Sequence, residues 1–109
     1  MAARDAMSGA SLGRTRIAAT VHGRVQGVGF RHFVFVTGRR LGVDGWVANA
    51  PDGTVRCEIE GEGGAVAELM RELERGPMGA YVERVDLAPR VATGTRTGFE
   101  VRSFGHSGD

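Results

Sequence analysis

The sequence predicts an α+β sandwich, with two helices on one face of a four- to five-stranded, mainly antiparallel sheet. Three observations carry this expectation. Several short runs alternate apolar and polar residues, the period of a half-buried strand. Two other stretches carry apolar residues at i, i+3, i+4 and i+7, the stripe of an amphipathic helix. The segments follow one another as strand, helix, strand, strand, helix, strand and a final short strand, so both helices must cover one sheet.

Residues 16–22 form the first alternating run, with Ile17, Ala19 and Val21 on one side and Thr20 and His22 on the other. A glycine-rich loop follows at 23–29. Phe30, Phe33, Val34, Thr37 and Leu41 then mark a helix, with Arg39 and Arg40 near its C-terminal end and Gly42 as its cap. Gly38 within it either lets the helix approach the sheet or is tolerated drift. Residues 43–49 and 54–60 read as strands around the turn Ala50-Pro51-Asp52-Gly53, a β-hairpin. Val66, Leu69, Met70 and Leu73 mark the second helix, which Gly76-Pro77 ends. Residues 81–87 and 98–104 are the last two strands. This order is that of a ferredoxin-like split βαβ fold, with the first strand in the sheet interior. Residues 1–14 are polar and aperiodic and are expected to be a disordered tail. The domain is then 15–104, and 105–109 a second tail.

Composition bounds the function. The 109 residues suffice for one domain, and a net charge of +1 gives no strong field to draw nucleic acid or membrane. All 14 basic residues are arginine, which excludes Schiff-base chemistry and a Walker-type lysine. The single cysteine, Cys57, cannot form an internal disulfide, and no stretch is long and apolar enough to span a membrane. A cytoplasmic monomer is the expectation.

The stretch Gly23-Arg24-Val25-Gln26-Gly27-Val28-Gly29-Phe30-Arg31 joins a strand to a helix through three glycines. Such a junction can aim consecutive N–H groups at one point, beside the positive end of the new helix. Arg31 adds a fixed cation in the first helical turn. The spacing is neither Walker A nor Gly-x-Gly-x-x-Gly, since His32 stands where the third glycine would be. From the pattern alone, an oxyanion cradle and a plain chain reversal are both open.

That loop, followed by Gly45-Trp46-Val47-Ala48-Asn49 and Asp52-Gly53-Thr54-Val55, closely resembles the acylphosphatase family. The resemblance extends from about residue 16 to 102. It implies hydrolysis of the carboxyl-phosphate bond of small-molecule acyl phosphates, without metal or organic cofactor. It implies Arg31 and Asn49 as the catalytic residues, and Gly23, Arg24, Val25, Gln26, Gly27, Val28 and Gly29 as the phosphate-binding loop. Two positions depart from the family pattern. Ala48 replaces a charged or polar residue, which bears on substrate preference, and Gly38 replaces a common alanine.

Other chemistry-bearing residues read as structural. His22, His32 and His106 lack a metal-site spacing, and His32 is expected on the solvated face of its helix. Cys57 shares a strand face with Val55 and Ile59 and is expected as a core thiol. Gln26 and Arg24 are expected to offer backbone to phosphate while their side chains face solvent. Glu58, Glu60 and Glu62 read as the solvent side of a strand and its loop. Two rival functions use the same fold. One is a phosphate-holding module, as in larger hydrogenase-maturation proteins. The other is an RNA-binding sheet, which five Phe, one Tyr and one Trp at mostly core or helical spacings do not favour.

Overall fold

A computed structural model describes residues 13–103, which run β1 (Arg14–Arg24), α1 (Phe30–Leu41), β2 (Asp44–Asn49), β3 (Val55–Glu62), α2 (Gly63–Arg75), β4 (Tyr81–Arg90) and β5 (Phe99–Ser103). The tails expected at the two ends lie outside these residues, apart from positions 13 and 14. The strands form one sheet in the order β4-β1-β3-β2-β5. All neighbours are antiparallel except β2 and β5, which are parallel. This is the ferredoxin-like arrangement with a fifth strand added at the β2 edge.

Alternation decides what the sheet buries. Val21 of β1, Val47 of β2 and Val55, Cys57 and Ile59 of β3 are fully buried against Phe30 and Val34 of α1 and Val66, Leu69 and Leu73 of α2. Each helix stops where glycine ends its stripe. At α1, the Gly42 N–H donates to Arg39 O and the Val43 N–H to Gly38 O. At α2, the Gly76 N–H donates to Glu72 O, while Glu62 caps the start by accepting from the Ala65 N–H. Gly38 is a close-approach residue: a Cβ there would stand 2.9 Å from the Phe99 ring. The helix therefore reaches β5 over a position with no room for a side chain.

Beyond shifted strand ends, the largest at β4, which runs to Arg90 rather than 87, three features differ from the sequence reading. The first strand starts at Arg14, two residues before the alternating run, because its guanidinium reaches Asp44 (3.1 Å), Glu60 (3.4 Å) and the Thr95 carbonyl (3.0 Å). Such partners, distant along the chain, leave no local pattern. The second helix starts at Gly63, directly after β3, rather than near the first apolar residue of its stripe.

The third is Glu60, which is not on a solvent face. The connection from β4 to β5 must cross from one edge of the sheet to the other, and residues 93 and 94 cover Glu60 completely. Its carboxylate accepts from the Thr93 N–H and hydroxyl, the Gly94 N–H, Arg16 and Arg14. Burial opposes ionisation, but the Thr93 N–H, Arg16, the Gly94 N–H and the Thr93 hydroxyl together hold the carboxyl down at about 2. In the β2–β3 turn, Asp52 is also held at about 2, chiefly by the hydroxyl and N–H of Thr54 and then by Arg56.

A carboxyl depressed in the folded state stabilises above its unfolded value of about 4, and the contribution is lost as pH falls through the folded value. The midpoint of urea unfolding is therefore expected to be flat near neutrality and to fall between about pH 5 and pH 2. Glu60→Gln should lower the midpoint at pH 7 and flatten the acid limb. An unchanged acid limb in that variant would remove Glu60 as its source.

Candidate active site

The strand directions bring the site together. Because β1 and β2 are each antiparallel to β3, they run the same way and finish at the same end of the sheet. The loop leaving β1 and the last residue of β2, Asn49, therefore meet there. A cleft of about 320 Å³ at this end is lined by Val25, Gly27, Gly29, Phe30, Arg31, His32 and Asn49.

The loop geometry depends on glycine. Gly23 sits at a shift in the β1–β4 register with φ 133°, and a Cβ there would lie 2.1 Å from the Tyr81 carbonyl oxygen. Neither that φ nor that approach suits a side chain. Gly29, at φ 80°, precedes α1 and offers its first turn no side-chain cap, and no acidic residue stands in that turn. The first N–H groups of α1 thus keep their donor capacity, with the positive end of the helix dipole behind them.

Arg31 lies in this first turn, half-buried, and its Nη1 donates to the Arg102 carbonyl of β5 at 3.4 Å. Asn49 is 2% exposed, and its Oδ1 has no hydrogen-bond partner among the described residues. A buried, unpartnered amide oxygen is costly in a folded protein unless water or a ligand meets it. The cleft thus combines uncapped helical N–H donors, a guanidinium and an acceptor awaiting a donor.

Of the residues expected from the sequence, Val25, Gly27, Gly29, Arg31 and Asn49 line the cleft together. Gly23, Arg24, Gln26 and Val28 belong to the same loop but not to the lining. Arg24 is exposed at the end of β1, and Val28 packs against the core. Gln26 departs from its expected solvent orientation: its Nε2 donates to Ala50 O at 2.8 Å and Thr54 O at 3.0 Å, tying the loop to the β2–β3 turn. Local sequence offers no sign of this, since the partners are 24 and 28 residues away.

His32 is exposed, as expected, yet lines the mouth of the cleft beside Arg31. Ala48 is fully buried and absent from the lining, because alternation turns it to the sheet face opposite Asn49. Its expected influence on substrate preference therefore has no direct route. Cys57 is a buried thiol, and burial pushes it up to about 12, as a core residue rather than a nucleophile. Among the described residues, no group of three or more His, Cys, Asp or Glu stands together as a metal site.

Fold and cleft together define an α+β protein with a cleft at the end of its sheet, where a guanidinium and uncapped helical N–H groups meet. The sequence profile of the family described as acylphosphatase matches residues 17–101. An acylphosphatase of a Nocardioides species is 50% identical over 92 residues, covering 84% of this chain and 87% of its own length. That of Rubrobacter xylanophilus is 51% identical over 87 residues, covering 80% and 79%. The solved structure of an acylphosphatase from Coxiella burnetii superposes with a TM-score of 0.78 at 36% identity, covering 83% of this chain and 94% of that one. The chain belongs to the acylphosphatase family. It is a hydrolase of acyl phosphates.

Proposed function

We propose that the protein hydrolyses small acyl phosphates without a metal, with the loop Gly23–Gly29 and Arg31 binding the phosphoryl group and Asn49 positioning the attacking water. The observation that carries this is the convergence on one cleft of Arg31, the uncapped start of α1 and the unpartnered Asn49 Oδ1. An acyl phosphate needs little more. Its leaving group is a carboxylate, whose acid has a pKa of about 4, so it departs without a general acid. Backbone N–H groups and the Arg31 fork neutralise the phosphoryl oxygens. The permanent charge of Arg31 does the electrostatic work that other phosphoryl-transfer sites give to a cation.

Water held by Asn49 Oδ1 attacks phosphorus in line. The phosphorus–oxygen bond to the acyl group breaks, and its electron pair leaves on the carboxylate. The water proton passes to a phosphoryl oxygen, giving inorganic phosphate. A buried free thiol fits a reducing compartment, which supports a cytoplasmic location.

The test is hydrolysis of benzoyl phosphate, followed by ultraviolet absorbance with a chelator present throughout. Sustained turnover is expected. No turnover by the intact protein, or turnover that chelation abolishes, overturns the metal-free reading.

A further inference from the structure

We infer that Gln26 is a positioning residue that fixes the distance between the bound phosphoryl group and the water held by Asn49; this rests on the roles of the loop and Asn49 proposed above. The loop and Asn49 come from β1 and β2, which β3 separates. Among the described residues, no backbone–backbone hydrogen bond joins 25–28 to 50–54. The link that hydrogen bonding does supply is one side chain. The half-buried Gln26 amide spends both Nε2 hydrogens on it, one on Ala50 O at 2.8 Å and one on Thr54 O at 3.0 Å.

These carbonyls are the hinge points of the turn. Ala50 directly follows Asn49, and its own N–H donates to Thr54 O at 2.9 Å, so Gln26 grips a closed loop rather than a loose strand. Within that loop, the Asp52 carboxylate holds the Thr54 N–H and hydroxyl. A shift of the turn relative to the cradle moves the water relative to phosphorus. A misplacement of about 1 Å in such a geometry can cost 10²-fold in rate. The side chain lies outside the cleft lining, so it acts through Asn49 and not on substrate.

Gln26→Met keeps the length of the side chain and removes both donors. It is expected to lower kcat for benzoyl phosphate about 10- to 100-fold while the inhibition constant of inorganic phosphate stays within about threefold, because the cradle itself remains. In an Asn49→Ala background the same change should cost no more than about twofold, since no held water remains to be misplaced. Gln26→Asn, about 1.5 Å too short to reach either carbonyl, should behave like the methionine variant.

An unaltered kcat overturns the inference. So do parallel losses of turnover and phosphate affinity, or full additivity with Asn49→Ala. Failure of both variants to fold also overturns it, making Gln26 a residue of the fold alone. Full turnover by Asn49→Ala by itself would instead sink the underlying reading, and that single variant tells the two failures apart.

Discussion

Arg31→Ala is expected to lower kcat/KM for benzoyl phosphate about 10²–10³-fold and to weaken inhibition by inorganic phosphate by a comparable factor. The guanidinium is the fixed positive charge in the cleft lining and stands at the start of α1, where the helix dipole adds to it. Phosphate carries negative charge both when bound and when reacting. Removing Arg31 therefore weakens ground-state binding as well as the transition state. Arg31→Lys restores the charge but not the planar fork, and it loses the reach to the Arg102 carbonyl that orients the side chain. It should recover only part of the loss. Phosphate inhibition within threefold of the parent in Arg31→Ala would remove Arg31 from the binding site.

The glycine loop and the helix start that follows it were legible in the sequence because they are local. Three glycines, a helix start and an arginine fall within nine consecutive residues. The convergence of Arg31 and Asn49 was legible for a different reason. The order of elements places β1 in the sheet interior and parallel in direction to β2, so their ends must be neighbours. What could not be read depends on contacts with no periodic trace. Period two told which residues of β3 share a face, but not that residues 93 and 94 cover that face and bury Glu60. Arg14 entered the fold through Asp44 and Glu60, 30 and 46 residues away. The Gln26 tether has the same character. A polar side chain in a glycine loop looks solvated until the turn it grips is placed beside it.

The placement of Asn49 sets the second large effect. Asn49→Ala should lower kcat about 10²–10³-fold while the inhibition constant of inorganic phosphate changes little, the reverse of the balance expected at Arg31. A water-holding group acts mainly on the attacking atom, whereas in the proposed roles the loop and Arg31 bind the phosphate. Folding stability offers a second, independent readout. Asn49 is almost wholly buried, and its Oδ1 finds no partner among the described residues, so its amide oxygen stabilises the fold little or not at all. Alanine removes that unpaired acceptor, and the variant should unfold at the same urea concentration as the parent or higher. A residue kept for packing would show the opposite pattern, a lower unfolding midpoint with turnover falling only in proportion. Asn49→Asp separates the two further. It preserves size but sets a carboxylate facing the phosphoryl oxygens, so it should weaken phosphate inhibition as well as turnover, the more so as pH rises through the carboxyl's titration. If alanine lowers stability and leaves kcat within threefold, the water-positioning role is wrong and the unpartnered oxygen has another cause.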